Sequence, residues 1–107
     1  MAKSKKDQLA FQDVYVSHLE RAAEVMRALA HPLRMKIMGF IDKNKVVNVN
    51  KIYNTLGLEQ SITSQHLRIL RSVNLVKTKR DGKFIFYSLD YDTLGKVLKS
   101  MEKNEMA

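Results

Sequence analysis

Two short helical periods meet at Gly57 in this chain. Before it, Val49, Ile52, Tyr53 and Leu56 recur at intervals of three and four. After it, in EQSITSQHLRIL (residues 59–70), Ile62, Leu67 and Leu70 do the same, with Ile69 beside them and Val73 one turn on. Glycine just past a helix end readily adopts the left-handed conformation that terminates it, and Leu58 can fold back over that end. Two short helices joined by a three- or four-residue turn containing glycine form a helix-turn-helix. Few folds accommodate that unit, so it constrains everything around it.

The second helix has an unusual polar side. Ordinary solvated faces are mostly Lys and Glu, whereas Ser61, Thr63, Ser64, Gln65 and Arg68 are short hydrogen-bonding groups and one fork-shaped cation. Such groups reach both phosphates and base edges, which suits a DNA groove. A helix entering the major groove N-terminus first would bring Gln60, Ser61, Thr63 and Ser64 to the bases and neighbouring phosphates. A polar helix facing a loop is the plainer alternative.

The rest of the chain frames this unit. Residues 1–8 are polar and expected to fray. From Leu9 a helical stripe runs through Phe11, Val14, Tyr15, His18, Leu19, Ala22, Val25, Met26 and Leu29. It is too wide to serve one small core, so one side is expected to meet a second subunit. His31-Pro32 breaks the period, and proline suits the first turn of a second helix, 32–41. Val46 and Val47 are expected to form a short extended segment, and Asn48 or Asn50 caps the next helix.

After Val73-Asn74 the period changes from helical to alternating. Residues 75–80 and 83–89 read as strands, with Asp81-Gly82 as the hairpin turn. Lys79, Arg80 and Lys83 give this ribbon a cationic tip, fit to rest on phosphate or reach into a minor groove. A ribbon that merely covers the core is the plainer alternative. Asp90 or Asp92 caps a last helix striped by Leu94, Val97, Leu98 and Met101. The predicted order is α-α-α-α-β-β-α, mainly α with a β-hairpin wing, a winged helix-turn-helix over residues 9–101, with 102–107 frayed.

Charge agrees with a polyanionic partner. The net +8 is concentrated in the middle: residues 31–58 carry five basic and one acidic group, and residues 59–90 carry six and three, while both ends are near neutral. The chain has no cysteine, which excludes disulfides, thiol redox sensing and thiolate metal ligands. The basic start MAKSKKDQ is followed by no apolar run, and no stretch approaches membrane-spanning length, so a cytoplasmic protein is expected.

ALAHPLRMKIMGFI, NKIYNTLGL, SITSQHLRILRSVNLVKTKRDGKFIFYSL and the helix after them resemble the ArsR/SmtB family of bacterial winged-helix repressors, over about residues 25–101. The resemblance implies a homodimer held by its first and last helices, here Phe11, Val14, Tyr15, His18, Leu94, Val97, Leu98 and Met101. It implies binding to an imperfect inverted repeat in double-stranded DNA over its own or an adjacent promoter. The implied DNA-facing residues are Gln60, Ser61, Thr63, Ser64, Gln65 and Arg68, with Lys79, Arg80 and Lys83 on the wing. His66, the family's usual histidine, is expected to orient the recognition helix.

The metal sites of similar sensors do not carry over. Their cysteine pair falls on Asn48 and Asn50, whose carboxamides cannot replace thiolates. At their other site Asp90 and Asp92 are present, but Lys103 stands where a histidine is expected. No metal and no cofactor is therefore expected, and a small-molecule or protein effector stays open, with the Tyr15, His18 and Tyr91 neighbourhood as its place or as packed interface. Where similar proteins have serine at the recognition helix N-cap, this chain has Glu59. A winged-helix module that binds protein, with DNA binding weak or lost, is the competing function. An enzyme is not expected, since no acid–base groups surround a nucleophile and no glycine-rich phosphate loop is present.

Overall fold

A computed structural model describes residues 19–106, with side chains through Lys99. Its centre is a stripe of branched side chains, Ile37, Ile41, Ile52, Leu67, Leu70 and Leu75, each at most 1% exposed. Burying each contributes roughly 1.5–3 kcal/mol against chain entropy.

Helix α1 covers residues 19–29 in the described region. It turns Ala22, Val25 and Ala28 inward and leaves Leu19 and Met26 exposed. Pro32 sits in the first turn of α2 (Pro32–Asn44), and the imidazole Nδ1 of His31 caps it by accepting the Leu33 N–H at 3.3 Å. Helix α3 (Val49–Leu56) is capped by Asn48, whose Oδ1 accepts the Lys51 N–H at 2.9 Å. Gly57 closes it at φ 67°, and Leu58 N–H donates back to Tyr53 at 2.9 Å, a Schellman end.

Helix α4 (Gln60–Ser72) ends the same way with Asn74 in the left-handed position at φ 62°. Asparagine tolerates that conformation better than most side chains. Leu75 N–H donates to Leu70 and Asn74 N–H to Arg71, both at 3.0 Å, and Leu70 and Leu75 are both in the core.

Strand β1 (Val47–Asn48) pairs antiparallel with β3 (Phe84–Leu89), which pairs on its other side with β2 (Val76–Asp81), giving the order β1-β3-β2. Helix α5 (Tyr91–Met106) follows, with Asp90 Oδ1 accepting the Thr93 N–H at 3.2 Å at its start.

The order is therefore α-α-β-α-α-β-β-α, the expected winged helix-turn-helix with one strand more than predicted. The extra strand lies one residue beyond the expected Val46–Val47: Val47 is buried beside Tyr87 while Val46 is exposed. The hairpin also shifts by one residue. Asp81 pairs with Phe84, so the two-residue turn is Gly82-Lys83, with Gly82 at φ 62°.

Two further expectations need correction. The last helix continues to Met106, past the predicted end at 101. Val97, assigned to a subunit interface, is 8% exposed and belongs to this chain's own core, and Leu94 packs against that core. Among the described members of the predicted interface on α5, Leu98 is the exposed one, at 58%. Phe11, Val14, Tyr15 and His18, and the side chain of Met101, lie outside the described residues.

Candidate nucleic-acid interface

The phase of α4 is set by Thr63, Leu67 and Leu70, spaced i, i+4, i+7 and all at most 1% exposed. The opposite arc therefore centres on Ser61, Gln65 and Arg68, all exposed, with Gln60 and half-buried Ser64 on one flank and Ile62 on the other. Five of the six predicted recognition-helix residues thus lie on the outward arc or its flank. Thr63 does not. Its Oγ1 donates to the Glu59 carbonyl at 2.9 Å and it has no exposed surface, so it cannot touch DNA. Ile62, predicted to be inside, is 40% exposed in its place.

Glu59 occupies the N-cap and makes no side-chain capping bond. Its charge is favourable beside the helix N-terminus, but it leaves an N–H that serine would satisfy. Among the described residues no carboxylate pairs with Arg68, Lys79 or Lys83, which leaves these cations ready for an external anion.

The wing's cations do not share one surface. Neighbours in a strand face opposite ways, so Lys79, opposite Phe86, lies on the outer face of the ribbon. Arg80, opposite Ile85, lies on the inner face, with its Nε donating to the Gly82 carbonyl at 3.3 Å. Lys83 sits in the turn. Between the wing tip and the starts of α3 and α4 runs a cleft of about 460 Å³, lined by Asn48, Val49, Asn50, Gln60, Lys83, Phe84 and Ile85. One hollow thus borders both the first residue of the recognition helix and the wing. Asn50, Phe84 and Ile85 are members that sequence reasoning missed. The one available signal was two large apolar residues directly after a turn glycine and lysine.

A second cluster fixes α4 from behind. Arg34 Nε donates to His66 Nδ1 at 3.2 Å, and its Nη1 donates to the Ala28 carbonyl at 3.0 Å, tying α1, α2 and α4 together. The His31 and His66 rings lie 4.8 Å apart. His66 therefore positions the helix, as expected. Burial, with the charges of His31 and Arg34 facing it, pushes the His66 imidazole below its ordinary value.

Above the ordinary histidine value His66 is neutral folded or unfolded. As pH falls through that value the unfolded chain takes the proton first, and stability declines until the folded pKa is passed. Between about pH 7.5 and about pH 5, denaturant titration should show a larger loss of stability in the wild type than in His66→Gln. Equal losses would show that His66 is not a source of the pH dependence.

No described helix is long and apolar enough to cross a membrane, and among the described residues no three His, Asp or Glu side chains converge as a metal site.

Comparison with known proteins bears on the family and the fold. Residues 31–78 match the bacterial regulatory protein, arsR family. The transcriptional repressor PagR of Bacillus anthracis is 37% identical over 92 residues, 80% of this chain and 92% of PagR. The crystal structure of NolR from Sinorhizobium fredii superposes with a TM-score of 0.68 at 37% identity, covering 83% of this chain and 88% of NolR. A homodimeric winged helix-turn-helix DNA-binding domain from Mycobacterium bovis shares the fold with a TM-score of 0.72 at 23% identity, covering 87% of this chain and 86% of that one. The chain belongs to the ArsR family of bacterial regulatory proteins, and it is a transcriptional regulator built on a winged helix-turn-helix rather than an enzyme.

Proposed function

We propose that this protein is a cytoplasmic, sequence-specific DNA-binding repressor that acts as a homodimer on an imperfect inverted repeat at its own or an adjacent promoter. The observation that carries the proposal is the outward arc of α4, where Ser61, Gln65 and Arg68 stand clear of the core, with Gln60 at the start of the same helix lining a cleft shared with the cationic wing. Gln60, Ser64, Lys79, Arg80 and Lys83 complete the contact surface. Short donors and acceptors read base edges, and the cations neutralise phosphate and set the register. Support comes from PagR, a transcriptional repressor alike over most of its length, and from the homodimeric state of the domain from Mycobacterium bovis.

Regulation is independent of metal in this proposal. Asn48 spends its side-chain oxygen on capping α3, and Asn50 offers a neutral carboxamide, so neither supplies a soft ligand. The releasing signal is then a small molecule or a protein, or the protein is governed by its own concentration.

Fluorescence anisotropy against the DNA upstream of its own gene, with a scrambled duplex as control and zinc present or absent, tests this. Selective binding indifferent to zinc is expected. Arg68→Ala should weaken it by about 1–3 kcal/mol, whereas Thr63→Val, inside the helix, should leave affinity unchanged. Release by zinc would overturn the metal-independent part. Selective binding that survives Arg68→Ala but fails in Thr63→Val would show that the arc is misassigned. No selective binding at any salt would favour a protein-binding module.

A further inference from the structure

The tip of the wing carries apolar surface that the fold does not use. Val76 and Leu89, farther down the ribbon, are core residues, and Tyr87 packs against the same core. Phe84 and Ile85 keep 41% and 44% of their surface exposed. They lie on opposite faces: Phe84 beside Phe86, with ring centroids 6.4 Å apart, and Ile85 across from Arg80. Lys83 Nζ stands 5.5 Å from the Phe84 ring. The end of the hairpin is thus two apolar blades edged by Lys79, Arg80 and Lys83, with one carboxylate, Asp81, across from Phe84.

That layout matches one surface well. The minor groove of B-form DNA is about 6 Å wide, with phosphates along both rims. That is too narrow for a two-stranded ribbon whose backbones alone lie about 4.8 Å apart. Only side chains of the tip can enter it, and the groove must open around them. Cations on both faces of the ribbon meet those rims, while apolar side chains meet sugars and base edges inside. A protein partner would satisfy the blades but leave three cations to be matched. We propose, building on the DNA-binding function above, that the wing tip inserts Phe84 and Ile85 as an apolar wedge into the minor groove flanking each half-site. Prising a base step apart costs least at flexible pyrimidine–purine steps and most in stiff A-tracts. The protein therefore selects its flanking sequence by deformability, at positions the recognition helix never touches.

The test uses duplexes that keep the selected upstream sequence in both half-sites and place either a TA step or an A-tract under the wing, with 2-aminopurine at that step. The wild type should prefer the TA flank by about tenfold and brighten the 2-aminopurine on binding. Phe84→Ser and Ile85→Ser, both at exposed positions and checked for folding by circular dichroism, should lose the preference and the brightening. They should keep half-site selectivity and the salt slope. Lys79→Ala should instead lower the slope by about one and keep the preference. Selective binding by the wild type without flank preference or brightening would overturn the wedge alone, as would serine variants that retain both. Absence of selective binding by the wild type would overturn the DNA-binding function and the wedge with it.

Discussion

Leu67→Ala should lower the free energy of unfolding by about 2–5 kcal/mol. Leu67 is 1% exposed at the middle of α4, in a core that α2, α3 and β2 share. Its removal leaves a hole walled by three other elements, and none can close it without leaving its own packing. A domain of this size has roughly 5–15 kcal/mol of stability in total, so the variant would retain only part of its folded population at physiological temperature. Urea titration should show a lower midpoint with an unchanged slope. A loss below about 1 kcal/mol would mean that the site collapses freely and that α4 is held chiefly by other contacts. DNA affinity, corrected for the folded fraction, should hardly change, because Leu67 faces away from the outward arc.

Leu98→Asp should turn the proposed dimer into a monomer in analytical ultracentrifugation. Leu98 is 58% exposed on α5, one residue after buried Val97, so aspartate costs the monomer little but places a charge in an apolar subunit contact. Affinity for the inverted repeat should fall by about 10²–10⁴, since the second half-site no longer benefits from the effective concentration that the first provides. Affinity for an isolated half-site should stay as it was. A dimer that survives the substitution would exclude this part of the last helix from the subunit contact.

The helix-turn-helix was legible because Gly57 and the leucine spacing are strong local signals. The orientation of α4 within it was harder to see. Hydrophobicity ranks Ile62 above Thr63 for burial, but the helix phase is fixed by Leu67 and Leu70, and only Thr63 shares their side. Threonine is admissible there because its hydroxyl returns to the Glu59 carbonyl.

The wing turn was misplaced for a similar reason. Asp81-Gly82 is the better local turn, yet it would pair Val76 with Tyr87. The observed register sets Val76 against Leu89, joining two core residues. Packing outweighed turn preference. A two-residue strand such as β1 has no period to read. In α5, an apolar stripe does not say which of its members face this chain's core, and Val97 was therefore assigned to the wrong surface.

The two left-handed residues that close α3 and α4, Gly57 and Asn74, have a consequence for how such a regulator diversifies. The turn that leads into the recognition helix and the far end of that helix are thus fixed by backbone bonds, with Leu58, Leu70 and Leu75 packed into or against the core. The residues at 61, 65 and 68 are therefore under almost no folding constraint. On the proposed DNA-reading role of these three positions, substitutions there would retarget the protein to a new operator while leaving its stability nearly intact. Duplicated copies could then drift apart in the promoters they read without passing through unfolded intermediates.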